Sequence, residues 1–189
     1  MARLEVYHAL LGKWTSKINL ISKASYADAW TRHFADSAQL WALRSEAAAS
    51  WMDLGSGGGF PGLVVAIIAA GEAPEMKVTL VESDQRKSAF LATVARECGL
   101  ATAIISERIE AVTAKAEVIS ARALAPLPDL LAFSEKARLP GGICLFPKGE
   151  TVHKEIADAS RQWRFDYRVH PSRTDERAAI VEIGAFARV

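Results

Sequence analysis

From Trp51 to Pro147 the chain alternates between short runs rich in apolar and β-branched residues and longer segments whose apolar positions recur every three or four residues. The short runs predict strands near Ser50–Leu54, Lys77–Glu82, Thr102–Ile105, Val118–Ala121 and Gly142–Pro147. The helical spacing predicts helices near Gly62–Ala70, Gln85–Gly99, Leu127–Arg138 and Thr151–Ala159. Strand–helix units repeated in this way build a mostly parallel sheet covered by helices. Ahead of them, Val6, Leu10, Leu11, Trp14 and Ile18 recur at helical spacing, as do Tyr26, Trp30, His33, Phe34, Ser37, Leu40 and Trp41 after a break at Ser22–Ser25. Behind them, Arg164–His170 and Ala178–Phe186 flank the polar turn Pro171–Arg177 and predict an antiparallel hairpin. The expected architecture is α/β, a mostly parallel seven-stranded sheet with a C-terminal hairpin, in which residues 1–46 form a helical extension packed on a core of residues 47–189, all in one domain.

Composition narrows this picture little. At 189 residues the chain can bury one α/β core but not two ordinary ones, and its 50% hydrophobic content suffices to fold without a partner. The clearest apolar run, Leu63–Ala70, is far shorter than the roughly 20 residues that cross a bilayer. Met1-Ala2-Arg3-Leu4-Glu5 reaches charged residues at once, unlike a secretory leader, so a cytoplasmic protein with no membrane partner is expected; a monomer is expected as well, although nothing in the sequence fixes the oligomeric state. Cys98 and Cys144, unpatterned, are expected to pack as small buried hydrophobes. Lys and Arg number 23 against 22 Asp and Glu, which is no global signature of nucleic-acid binding; such contacts must come from a local patch.

The strongest motif is Asp53-Leu54-Gly55-Ser56-Gly57-Gly58-Gly59-Phe60-Pro61-Gly62, which joins a strand to a helix. Glycine serves where backbone turns with positive φ or approaches a ligand without a Cβ, and Pro61 suits a first helical turn. Gly57, Gly59 and Gly62 match G-x-G-x-x-G, which does not by itself separate a dinucleotide from S-adenosylmethionine. Asp53 and Gly55 in front of them give the D-x-G-x-G-x-G order of methyltransferases. An acid there can hold the ammonium group of a methionine moiety, directly or through water, and does not oppose a cationic cofactor as it would a pyrophosphate. Glu82 ends the next strand, where a carboxylate can accept both ribose hydroxyls. The antiparallel ending agrees, since dinucleotide-binding dehydrogenases keep the sheet parallel. The fold expected is a Rossmann-like class I S-adenosylmethionine-dependent methyltransferase, with Asp53, Gly55, Gly57, Gly59 and Glu82 at the cofactor.

A longer ordered set of residues runs through nearly the whole chain. It comprises Lys13-Trp14 with Asn19-Leu20, Arg32-His33-Phe34-Ala35-Asp36-Ser37, the glycine loop ending Phe60-Pro61-Gly62, and Arg86-Lys87-Ser88-Ala89-Phe90-Leu91. Arg108-Ile109-Glu110, Ser120-Ala121-Arg122-Ala123 and Phe146-Pro147-Lys148-Gly149 complete it. In this set the chain resembles the RsmG/GidB methyltransferases, which methylate guanine N7 in the decoding-region loop of 16S ribosomal RNA. The resemblance implies S-adenosylmethionine as cofactor and 16S RNA or the small ribosomal subunit as partner. It makes Gly55 and Phe60 cofactor contacts, places Ile109 and Glu110 by the adenine, and places Arg122 at the mouth of the site.

Guanine N7 carries an in-plane lone pair and no hydrogen, so its methylation needs alignment and a dry pocket and no general base. Consistently, the chain has no Asn-Pro-Pro-Tyr motif for an exocyclic amine and no cysteine in the setting of a pyrimidine C5 nucleophile. Arg122 and Lys148 follow strand-like segments and are expected at the carboxyl edge of the sheet as the catalytic pair, holding RNA phosphate or the guanine O6 edge. Arg32, His33 and Asp36 share a helical face, as a lid, an RNA surface or a structural histidine–acid pair. His8, His153 and His170 lack metal-ligand spacing, and no metal is expected. Trp14, Trp30, Trp41 and Trp51 are expected in the core, with one exposed aromatic free to stack on RNA. Three other readings compete: a methyltransferase of this fold acting on a small molecule or protein, a nucleotide-binding oxidoreductase, and an RNA-binding assembly chaperone.

Overall fold

A computed structural model describes residues 1–189. Seven strands form one sheet in the order β3-β2-β1-β4-β5-β7-β6. They are β1 (Ser50–Leu54), β2 (Lys77–Val81), β3 (Thr102–Ile105), β4 (Ala116–Ser120), β5 (Arg138–Lys148), β6 (Trp163–Pro171) and β7 (Ala179–Arg188). β1 to β5 pair in parallel, whereas β7 runs antiparallel to both β5 and β6. The helices in chain order are α1 (Ala2–Thr15), α2 (Lys23–Ala27), α3 (Gly62–Glu72), α4 (Gln85–Glu97), α5 (Leu127–Ala137) and α6 (Val152–Ala159).

Side chains alternate across a strand, and here each alternation feeds one of two cores. Trp51, Val118 and Leu145 pack with α1, α3 and α4, while their neighbours Met52, Ile119 and Cys144 pack with α5 and α6. The crossover order places the end of β1 beside the end of β4, at the point where the chain's winding reverses and open α/β sheets take ligands.

Several departures from the sequence-based expectation matter. The buried face of α1 is Tyr7 and Leu11, with Val6 exposed and Ile18 beyond the helix end, so Tyr7 replaces Val6 in the apolar stripe. The helix expected through Tyr26–Trp41 is broken into α2, a π-helical stretch Trp30–Ala35, one α turn Asp36–Ala38 and a 3-10 turn Gln39–Leu43. Ser22 caps α2 through its side chain, so the expected break at Ser22–Ser25 is a helix start. Finally, Trp30 lies at the surface, 39% exposed against His8 and Phe34, while Trp41 and Trp51 are buried. β5 also begins earlier than expected, at Arg138. No helix is long and apolar enough to cross a membrane.

Candidate active site

Two cavities meet at the carboxyl edge of the sheet. One, of about 760 Å³, is walled by Gly55–Gly58, Phe60, Glu82, Ile109, Glu110 and the segment Leu20–Ser22. The other, of about 780 Å³, is walled by Arg32, Asp36, Lys148, Glu155 and the hairpin-turn residues Ser172, Thr174 and Asp175. His33 and Arg122–Ala125 belong to both walls.

The glycine loop is held from beneath. Asp53 ends fully buried: Ser120 donates to its Oδ1 at 2.7 Å and the Gly62 N–H to its Oδ2 at 3.2 Å. Trp51 Nε1 in turn donates to Ser120 Oγ at 2.8 Å, which orients the hydroxyl. Burial pushes the Asp53 carboxyl up to about 6, and the hydrogen bonds from Ser120 and Gly62 pull against it. A Cβ at Gly62 would collide with Asp53 and Leu80, and one at Gly59 with Leu63 and the Tyr7 hydroxyl. The Tyr7 hydroxyl donates to the Gly58 carbonyl, so the N-terminal helix clamps the loop. Pro61 stands at the N-cap position of α3, one residue ahead of the first turn where it was expected, and follows a cis Phe60–Pro61 bond.

Two expected cofactor residues are therefore placed differently. Asp53 does not line the cavity; its oxygens are spent on Ser120 and Gly62, and it shapes the loop where an ammonium contact was expected. Gly59, at φ +92°, is turned toward Tyr7 and Leu63 and serves close packing. Gly55, Gly57, Phe60, Glu82, Ile109, Glu110 and Arg122 all line the cavity. Each Glu82 oxygen accepts one backbone N–H, from Gly57 and Asp84, at 2.8 Å, and keeps acceptor capacity toward the cavity. With bare glycine backbone on one side and Ile109 on another, these residues fit an adenosine-bearing ligand.

Arg122 sits at the junction, 17% exposed, in a tight frame. Its Nη1 donates to Asp36 Oδ2 and to the Arg32 carbonyl, both at 3.1 Å, and its Nη2 lies 3.0 Å from His33 Nδ1. The π-helical stretch makes this possible: the Asp36 N–H bonds to the Thr31 and His33 carbonyls and skips that of Arg32, which Arg122 takes. Asp36 Oδ1 accepts from Gln39 and from Thr174, and so ties the frame to the hairpin turn. The His33 ring stacks on Phe60, 4.9 Å between centroids, and burial with the Arg122 charge lowers its pKa to about 4. His33 thus pairs with Arg122, and Asp36 pairs with Arg122 also, which replaces the expected histidine–acid pair.

Lys148 lines the second cavity but does not stand free in it. At 9% exposure its Nζ bonds Glu155 Oε2 at 2.7 Å and the Ala125 carbonyl at 3.0 Å. Glu155 Oε2 also accepts the Leu127 N–H at 3.1 Å. The pair pins the segment that begins at Ala123, the one non-glycine residue with positive φ, at +54°. Such a conformation costs of order 1 kcal/mol and persists only where its surroundings enforce it. The basic side chains expected to meet RNA are thus committed inward. Tyr7, Ser120 and Glu155, which sequence reasoning passed over, hold the parts together; only Ser120 carried a signal, as the strand residue that opens Ser120-Ala121-Arg122-Ala123. Both cysteines are buried, and burial raises the Cys144 thiol to about 12.

The comparisons with known proteins agree with this geometry. Residues 1–179 match the family model for GidB, described as rRNA small subunit methyltransferase G. The chain is similar to ribosomal RNA small subunit methyltransferase G of Cereibacter sphaeroides (strain ATCC 17025), 48% identical over 100% of this chain and 91% of the relative. It is equally similar to that of Ruegeria pomeroyi, 50% identical over 99% and 92%. Among solved structures it shares its fold with an O-methyltransferase from Bacillus cereus in complex with SAH, with a TM-score of 0.64 at 10% identity over 98% of this chain and 91% of that one. M. jannaschii TYW2 in complex with AdoMet superposes with a TM-score of 0.60 at 13% identity, over 93% and 80%. A class I methyltransferase sheet, a glycine loop closed from below by a buried acid, and half of all positions shared along their length with these relatives make this chain a member of the GidB family of rRNA small subunit methyltransferases.

Proposed function

We propose that this chain transfers the methyl group of S-adenosylmethionine to N7 of a guanine in 16S ribosomal RNA of the small ribosomal subunit. The observation that carries this reading is the shared wall: a cavity fit for an adenosine-bearing cofactor opens onto a second, comparable one across His33 and Arg122–Ala125. The relatives' names point to small-subunit RNA as the acceptor. Within the first cavity, Glu82, Gly55, Gly57, Phe60, Ile109 and Glu110 hold the cofactor, which when bound supplies an electrophilic methyl group. Arg122 and Lys148 act by fixing the partition between the two cavities, so that an incoming nitrogen meets the methyl group in line. The acceptor nitrogen has a free lone pair, and the junction correspondingly offers no unpaired carboxylate: Asp36 is bonded to Arg122, Gln39 and Thr174. Residues from both 1–46 and 47–189 line each cavity, which supports the two segments acting as one unit; as part of the same proposal, the protein works as a monomer in the cytoplasm on ribosomal RNA.

The test is transfer of radiolabelled methyl groups to small subunits lacking the modification, followed by mapping of the labelled nucleotide. Label at one guanine N7 supports the reading. Label in protein or in a small molecule replaces it with the competing one.

A further inference from the structure

Arg122 decides which nitrogen of His33 carries the proton. A guanidinium has only N–H donors, so the 3.0 Å contact between its Nη2 and His33 Nδ1 requires a lone pair on Nδ1. The ring is kept neutral by burial and by Arg122, with Arg32 adding to that effect and Asp36 and Asp28 opposing it. A neutral imidazole with a bare Nδ1 carries its hydrogen on Nε2. That Nε2 is buried and has no hydrogen-bond partner within the protein. Buried donors are ordinarily satisfied, and one left open is a demand for an acceptor. The ring cannot easily turn to find one, because Phe60 stacks on its face and Arg122 holds its other nitrogen.

We propose that His33 reads the C6 oxygen of the target guanine through its Nε2–H and so separates guanine from adenine. The proposal rests on the guanine-N7 reading above. His33 is a wall of both cavities, and the atoms that cover its Nε2 must give way slightly for the edge of a base to reach it. On that edge guanine presents two acceptors side by side, N7 and O6, whereas adenine presents an amino donor next to N7. An N–H opposite O6 makes a hydrogen bond; opposite the amino group it leaves two donors facing one another. Its neutrality suits the chemistry. The N7–methyl bond forms as the methyl–sulfur bond breaks, no proton moves, and the positive charge passes to the base, which a charged imidazole would repel.

The experiment compares small-subunit RNA carrying guanine with RNA carrying 2-aminopurine, which keeps N7 but lacks O6, at the nucleotide the wild-type protein methylates. The expected result is a preference for guanine of about tenfold in kcat/KM for the wild type, the size of one hydrogen bond. His33→Phe keeps the ring on Phe60 and should methylate both RNAs at one reduced rate. His33→Asn keeps an acceptor for Arg122 but falls short of the Nε2 position, and should lose the preference in the same way even if the Phe variant does not fold. His33→Gln, whose amide reaches that position, should restore part of it. S-adenosylhomocysteine affinity, measured by calorimetry, should fall by less than the guanine preference does in every variant. A preference retained by His33→Phe or His33→Asn, or a loss of cofactor affinity that matches the loss of turnover, overturns the assignment. Should the underlying reading be wrong, the wild type labels neither RNA, which is a different result.

Discussion

The cofactor-side cavity and its neighbour share a wall, yet they are built by opposite means. The first is largely a product of one corner of the chain: ten consecutive residues from Asp53 to Gly62 turn from strand to helix, and main-chain groups and missing side chains do most of the shaping. The second is gathered from distant segments. Arg122 bonds a carbonyl 90 positions away, and Asp36 bonds a hydroxyl 138 positions away, in the hairpin turn. The difference separates two kinds of fragility. Damage to the corner is expected to be steric and to strike the fold, and damage to the gathered frame to strike alignment first.

The comparison can be broken or sharpened by substitution. The largest effect is expected for Gly62→Val, whose side chain would drive into Asp53 and Leu80. Overpacking with loss of a buried hydrogen bond predicts about 4 kcal/mol or more of destabilisation, seen as a collapse of the denaturant midpoint; a midpoint near wild type would mean the corner is looser than described. Next comes Arg122→Ala, expected to lower kcat about 100-fold while S-adenosylhomocysteine affinity and the melting temperature change little. Arg122→Lys should not rescue it, because one ammonium cannot reach Asp36, the Arg32 carbonyl and His33 together. Smaller again, Lys148→Met and Glu155→Gln should each lower kcat/KM about tenfold, and the double variant little further, since both act through the Ala125 segment. Additive losses would mean that Lys148 touches substrate after all.

The smallest effects separate the two regions by sign of pH dependence. The folded Asp53 carboxyl titrates at about 6, above its ordinary 3.8, so the folded state holds that proton more readily and its contribution to stability falls as pH rises from about 4 to 6. The folded His33 titrates at about 4, below its ordinary 6.5, so its contribution is lost as pH falls through that range. Melting curves at pH 5 and 7 should show the gap between wild type and Asp53→Asn narrowing toward pH 7, and that between wild type and His33→Phe narrowing toward pH 5. Gaps that move together would remove the distinction.

The same contrast explains what could be read in advance. The glycine loop, Glu82 and the strands around them were legible because their signals are local: turn residues, a period of two and an acid at a fixed offset. Asp53 stands out in the sequence, but its task depends on Ser120, 67 positions away, and no local pattern records that pairing. Lys148 looked like an edge cation because nothing near it in the chain announces Glu155 as its partner across a helix start. The broken helix at Trp30–Ala35 escaped a pattern tuned to 3.6 residues per turn, since a π stretch keeps the apolar residues nearly in place while shifting which carbonyls are free.

The partition formed by His33 and Arg122–Ala125 has a consequence for traffic through the enzyme. On the proposed function, a ligand on one side would touch residues that also face the other, which gives the two ligands a route by which to influence one another. By thermodynamic necessity, any factor by which RNA changed the hold on spent donor would equal the factor by which spent donor changed the hold on RNA. Under the proposed function, the departures of RNA and spent donor would then depend on the same short run of chain.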